Sequence, residues 1–329
     1  MTVLVTGAAG FIGMHVCQQL LADGEAVIGL DSLNSYYDPA LKTGRLQTLD
    51  GKDGFTFKQV DIADYEGVQA AIGDRSGEIT GVVHLAAQAG VRYSLQKPFE
   101  YARSNLEGHL AILELCRHHL PELKHLVYAS SSSVYGANTD IPFSIEDRVD
   151  RPVSLYAATK RADELISHAY SHLYRIPQTG LRFFTVYGPW GRPDMAYYSF
   201  TDAIVSGRPI TLFNHGKMRR DFTYIDDIVS GVLAALANPP SDTGAPPQRV
   251  FNLGNNEPVE LERFVKAIEG ALGQTAEILY DEMQPGDVVE TYADIDASTE
   301  LLGYQPTTSI EDGIAKFIDW YKKYHRINS

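Results

Sequence analysis

The sequence predicts an α/β fold: a doubly wound parallel sheet carrying a smaller mixed α/β lobe. Two observations predict it. Apolar, strand-like runs alternate with helix-period stretches up to about residue 184. A glycine-spaced turn joins the first run to the first helical stretch. Thr2-Val3-Leu4-Val5-Thr6 is β-branched and uncharged, the composition of a buried strand. Gly7-Ala8-Ala9-Gly10-Phe11-Ile12-Gly13 follows and opens an amphipathic helix over about 11–23. Gly7 permits the tight turn, Gly10 lets the backbone approach a diphosphate, and Gly13 lets helix and strand pack closely. The diphosphate then sits on the helix N-terminus, at Phe11 and Ile12. A second run, 26–30, ends in Asp31. An acid at that distance binds the adenosine ribose hydroxyls and repels a 2′-phosphate, which favours NAD over NADP.

Further strands are expected at 55–60, 80–85, 124–129 and 178–183, with helices at 64–73, 97–119 and 154–174. After Gly188 the pattern loosens. Short strands at 210–213, 250–253 and 276–280 mix with helices at 199–206, 227–237, 260–272 and 310–324. The chain thus divides into a cofactor domain of the Rossmann type, 1–184, and a mainly substrate-binding lobe, 185–329, with some segments returning to the first. Residues 239–247 form a Pro-rich surface loop.

Composition narrows the class. The 329 residues are 44% hydrophobic, enough for a sizeable core. A net charge of −14 argues against nucleic acid or an anionic membrane as partner. Cys17 and Cys116 lie in apolar-patterned helices and read as small buried hydrophobes of a reducing compartment. The first strand begins at residue 2, so no signal peptide is expected, and no apolar run is long enough to span a bilayer. A cytoplasmic location is therefore expected. His168 and His172 have the spacing of a metal pair but no third ligand, so no metal is expected.

The chemistry lies in Tyr156-Ala157-Ala158-Thr159-Lys160, which sets a phenol and an ammonium on one helix face. The ammonium favours the phenolate, so the pair serves as a general base near neutral pH. The serine cluster Ser130-Ser131-Ser132-Ser133 follows the fifth strand, and a hydroxyl there can bridge the phenol to a substrate hydroxyl.

The spacing of Gly7, Gly10 and Gly13 with Tyr156 and Lys160 resembles the extended short-chain dehydrogenase/reductase family, and most closely its nucleotide-sugar epimerases and dehydratases. The resemblance extends over essentially the whole chain. It implies adenine contact at Asp61-Ile62. It implies that Leu85-Ala86-Ala87-Gln88 lies along the cofactor diphosphate and ribose. It implies cofactor roles for Asn34 and Asn105. Arg220-Asp221-Phe222-Thr223-Tyr224-Ile225-Asp226-Asp227 resembles the nucleotide-contacting segment, with Arg220 on the UDP. Two strings, Ala86-Ala87-Gln88-Ala89-Gly90-Val91-Arg92-Tyr93-Ser94 and Val186-Tyr187-Gly188-Pro189-Trp190-Gly191-Arg192-Pro193-Asp194-Met195, look like the UDP-glucuronate 4-epimerase branch. That likeness implies that Arg192 holds the sugar carboxylate with Thr185 beside it. Ser131, Ser132, Arg92 and Phe213 are further implied substrate contacts. A planar guanidinium grips a carboxylate by two parallel hydrogen bonds, so the chemistry agrees.

Where related 4,6-dehydratases carry an Asp-Glu pair before Val-Tyr-Gly, this chain has Ser132 and Ser133 before Val134-Tyr135-Gly136. No carboxylate is offered there for elimination. Gln284 stands where UDP-glucose epimerases usually have a diphosphate-gripping arginine. The expected activity is NAD-dependent interconversion of UDP-glucuronate and UDP-galacturonate. A UDP-glucose/UDP-galactose 4-epimerase and a non-catalytic NAD-sensing protein are the alternatives. The resemblance also implies a homodimer through the helices at 97–119 and 154–174. Their apolar residues, including Leu106, Leu110, Leu113, Leu165 and Ile166, exceed what one face against the sheet needs, with core packing as the alternative.

Overall fold

The computed structural model describes residues 1–283 and 288–327. The chain opens with β1 (Thr2–Thr6), α1 (Phe11–Ala22), β2 (Ala26–Asp31), α2 (Pro39–Gln47) and β3 (Phe55–Gln59). It continues through α3 (Tyr65–Ile72), β4 (Ile79–His84), α4 (Val91–Gln96), α5 (Pro98–Tyr101), a π-helical turn (Ala102–Glu107) and α6 (Gly108–His119). β5 (His125–Ser131), α7 (Leu155–Tyr174) and β6 (Gln178–Phe183) complete the alternating half. Then come β7 (Thr185–Tyr187), α8 (Ala196–Val205), β8 (Ile210–Leu212), β9 (Arg219–Tyr224), α9 (Ile225–Ala237) and β10 (Gln248–Leu253). The chain ends through β11 (Pro258–Glu260), α10 (Leu261–Leu272), β12 (Ile278–Tyr280), α11 (Asp296–Leu302) and α12 (Ile310–Tyr324).

Among the described residues the main sheet has the order β3-β2-β1-β4-β5-β6-β10, and every pairing is parallel. The order reverses between β1 and β4. In open parallel sheets the crevice at the carboxyl ends of such strands is where ligands bind. The pleat of β1 feeds both faces. Val3 and Val5 pack with Met14 and Cys17 of α1 and with Ile228 and Val232 of α9. Leu4 packs with Val68 of α3 and Ile112 and Leu115 of α6. Among the described residues two further small sheets form, β7-β9-β11 and β8-β12.

The α/β class and the six strands of the first half are as the sequence predicts, within a residue or two. Several details differ. The expected helix at 97–119 is broken by its π turn, and α4 precedes it. The expected strand at 250–253 starts at Gln248 and joins β6 as the seventh strand of the main sheet. The helices α2 and α11 and the strands β7, β9 and β11 have no counterpart in the sequence reading. Leu113 is fully buried in the core, and Ile166 packs against that same cluster, so neither is spare apolar surface. Leu110 and Leu165 of the expected set are exposed on α6 and α7, as are Phe99 on α5 and Leu173 on α7. Among the described residues, no helix is long and apolar enough to cross a membrane.

Candidate active site

A cleft of about 1060 Å³ opens at the carboxyl ends of β1, β2, β4 and β5. Its floor is the turn after β1. Gly7 holds φ +73°, and a Cβ there would lie 2.9 Å from the Ala86 amide nitrogen. A Cβ on Gly13 would lie 2.0 Å from the Gly7 carbonyl oxygen. Only glycine fits either place, so the turn is closed against Leu85-Ala86 and the α1 N-terminus faces the cleft. Gly10, Phe11 and Ile12 line the same floor, with Ala87 and Gln88 alongside.

Asp31 closes one end of the cleft. Its carboxylate accepts from the Ala9 N–H (3.2 Å) and the Leu33 N–H (2.8 Å). Lys42 of α2, which sequence reasoning missed, stands 3.8 Å from Asp31 and donates to Asn34 Oδ1 at 2.8 Å. Burial lowers the Lys42 pKa and Asp31 opposes that shift. Asp61 and Ile62 line this end, and Asp61 accepts from Arg103 at 3.0 Å. Asn105 does not line the cleft. It sits in the π turn, a feature common at functional sites, and works from behind. Its amide accepts the Gln88 N–H (2.8 Å) and donates to the Gln88 carbonyl (3.1 Å) and to Thr159 Oγ1 (2.9 Å).

Ser154 caps α7 by accepting the Ala157 N–H at 3.1 Å, which fixes the first turn of that helix. Tyr156 and Lys160 both face the cleft from it. Tyr101 meets Tyr156 edge to face, centroids 6.1 Å apart. The Lys160 ammonium donates to the Ala129 carbonyl (3.0 Å) and to Asp163 (3.1 Å). The serines separate by strand alternation. Ser130 Oγ donates to the buried Glu164 at 2.7 Å, where Arg182 and Arg161 also bind that carboxylate. Ser131 Oγ donates to Ser133 Oγ at 3.1 Å and, with Ser132, lines the cleft.

The opposite wall carries Thr185 on β7 and Arg192 in the loop before α8. Asp194 takes the Nε–Nη2 edge of Arg192, with Nε donating to Oδ1 at 3.0 Å, and Tyr36 donates to the same carboxylate at 3.0 Å. Burial opposes the Arg192 charge, but Asp194 more than offsets it and holds the guanidinium protonated. Arg92 lies over the Phe213 ring, 5.2 Å from its centroid, which joins two of the expected substrate residues. Arg220 lines the cleft while donating to the carbonyls of Val288 (2.6 Å) and Val289 (3.0 Å). Gln284 lies outside the described residues. Asp194 and Asp163 were missed because an acid two or three residues from a cation reads as a surface pair; their only sequence signal is that adjacency.

The family model for the NAD-dependent epimerase/dehydratase family matches residues 3–254. The chain belongs to the NAD-dependent epimerase/dehydratase family. Among other family members, Protein CapI of Staphylococcus aureus is 50% identical over 99% of this chain and 100% of its own length. UDP-glucuronate 4-epimerase 4 of Arabidopsis thaliana is 49% identical over 98% of this chain and 76% of its own length. A crystal structure of UDP-glucuronic acid 4-epimerase from Bacillus cereus, in complex with UDP-glucuronic acid and NAD, superposes with a TM-score of 0.88. It is 36% identical and covers 98% of this chain and 100% of that one.

Proposed function

We propose that this protein interconverts UDP-glucuronate and UDP-galacturonate, with NAD as its resident cofactor. One observation carries the reading: a single cleft holds Ser131, Tyr156 and Lys160 together with Arg192 and Thr185. The close-fitting Gly7 turn, the α1 N-terminus and Asp31 fit a dinucleotide, its diphosphate on the helix and its ribose on the acid. Asn34, Asp61, Ile62 and the Leu85–Gln88 segment, buttressed by Asn105, would complete that seat. NAD, when bound, accepts hydride from sugar C4 and returns it to the other face.

The chain's own residues do the rest. Tyr156 removes the O4 proton, and Ser131, set beside Ser133, bridges phenol and sugar hydroxyl. Lys160 spends two of its three N–H bonds on Ala129 and Asp163 and keeps one for the nicotinamide ribose; its charge favours the phenolate. Arg192 presents its remaining Nη1 edge to the sugar carboxylate, with Thr185 next to it. Ser132, Arg92, Phe213 and Arg220 contact the rest of the UDP-sugar. Arg192 in the cleft favours a uronate over UDP-glucose, and the intact Ser131–Tyr156–Lys160 set favours an enzyme over an NAD sensor.

The cofactor domain comprises 1–184, and the 185–329 lobe returns β10 and α9 to it. The exposed Phe99, Leu110, Leu165 and Leu173 support a homodimer through α5, α6 and α7. Two buried, unbridged cysteines support a cytoplasmic location. The test is purified protein with UDP-glucuronate, followed by NMR: UDP-galacturonate is expected. No conversion rejects the reading, and faster turnover of UDP-glucose replaces it by the neutral-sugar alternative.

A further inference from the structure

Residues 156, 160, 163 and 167 form one stripe along α7. The first two are the expected base and its ammonium. The third, Asp163, is a carboxylate only 1% exposed at its side chain, 3.1 Å from the Lys160 ammonium. Its other oxygen, Oδ1, is buried with no hydrogen-bond partner among the described residues. A bare buried acceptor is costly, so the fold alone gives no reason for an acid there. Lys160 gives one.

We propose that Asp163 is a positioning residue for Lys160 that also sets the pH at which Tyr156 acts as base. This rests on the reading of Tyr156 given above. Asp163 and the Ala129 carbonyl fix two of the three ammonium N–H bonds, which directs the third toward the cofactor ribose. Asp163 also opposes the field that Lys160 exerts on Tyr156. With Lys160 alone, the phenolate would form at lower pH.

Tyr156 also faces the Arg192 guanidinium across the cleft and the Tyr101 phenol, and the Asp163 variants leave both in place. The other groups around Asp163 are paired or neutral. On α7 itself, Glu164 is held by Arg182 and Arg161. From α6, His109 meets Ser167 at 2.8 Å, and burial followed by the Lys160 charge holds its pKa at about 3, so it is neutral. From β4, His84 is bonded to Thr6 and, chiefly through burial, its pKa lies well below the ordinary value. From β5, burial pushes the Tyr128 phenol up, so it stays protonated. Burial raises Asp163 itself above the ordinary carboxylate, and Lys160 pulls it back.

Seven residues of helix separate Tyr156 from Asp163 by about 10 Å. A unit charge at that distance, in an environment between protein and water, shifts a titration by roughly 0.5–1 pH unit. The experiment is the pH profile of kcat/KM for UDP-glucuronate in Asp163→Asn, which keeps the shape and removes the charge. Asp163→Ala, which leaves room for water, is the second variant in case the first fails to fold. Tyr156→Phe is measured alongside. The acid limb should move down by roughly 0.5–1 pH unit in the Asp163 variants, with NAD still bound. A limb that stays put overturns the proposal. A limb that moves up also overturns it, since Asp163 would then be serving to keep Lys160 protonated. If Tyr156→Phe remains active, the base assignment falls first and takes this inference with it; if Tyr156→Phe is dead and the limb is fixed, only the role of Asp163 is lost.

Discussion

Replacing Arg192 with Gln removes the group proposed to face the sugar carboxylate, and two effects should follow from the geometry. The first is on binding. The Nε–Nη2 edge already belongs to Asp194, so the substrate meets the Nη1 side. Charge-assisted hydrogen bonds contribute roughly 1.5–3 kcal/mol each, so KM for UDP-glucuronate should rise about 10- to 150-fold. The stranded Asp194, left with Tyr36 as its donor, adds repulsion toward a uronate. The double variant Arg192→Gln/Asp194→Asn removes that repulsion and should recover part of the loss. The second effect is on the product. Oxidising C4 of a uronate makes a β-keto acid, which loses CO₂ when the carboxylate bond aligns with the carbonyl π-system. A clamp on the carboxylate prevents that alignment while the keto sugar turns. Arg192→Gln should therefore leak a UDP-4-keto-pentose or UDP-pentose, detected by NMR or mass spectrometry. Unchanged affinity would show that Arg192 does not bind the carboxylate. Weak binding with no decarboxylated product would keep the binding role and reject the protective one.

Tyr156→Phe should retain the fold and cofactor while losing about 10²–10⁴-fold in kcat; activity within a few-fold of the parent rules Tyr156 out as base. Cofactor released by denaturing the purified protein should be NAD(H). Asp31→Ser leaves Lys42, 3.8 Å away in the parent, facing the 2′ position, and should raise NADP binding; no gain would mean that Lys42 is not oriented there. Leu165→Glu should convert a dimer to monomer in sedimentation, and a parent that sediments as a monomer at micromolar concentration refutes the interface.

The alternating half of the chain was legible because parallel strands buried on both faces read as continuous apolar runs. β7 and β11, of three residues each, carry no such run and were missed, whereas β8 and β12, equally short, were found. α2 was missed for a related reason. Its interior is polar, with Lys42 and Arg45 among its buried residues. Arg45 binds the carbonyls of Ala9, Trp190 and Gly191, tying the Gly7–Gly13 turn to the loop that carries Arg192. A pattern that equates charge with solvent cannot find such a helix. Of the candidate site residues, Gly7 and Tyr156 were found from spacing, and Arg192 from the resemblance of its loop to UDP-glucuronate 4-epimerases. Residues that hold those groups in place are chosen by proximity in space, as Arg45 shows by bonding to carbonyls about 145 positions away in sequence; Asn105, named by resemblance as a cofactor residue, instead bonds to Gln88 and Thr159 from behind the cleft wall.

One arrangement recurs in the cleft. Lys160 has Asp163, Arg192 has Asp194, and Lys42 has Asp31. In a chain of net charge −14, a UDP-uronate, with two diphosphate charges and a carboxylate, is not drawn in by the long-range field. Cations already paired add little to that field beyond a Debye length of about 8 Å. What an acid beside a cation does provide is direction. It fixes which N–H bonds remain and where they point, at some cost in attraction for an anion. Recognition then depends on donors aimed at short range. For a reaction whose keto intermediate is lost when one carbon–carbon bond swings into the wrong plane, aim matters more than attraction, and three paired cations are a physical means of obtaining it.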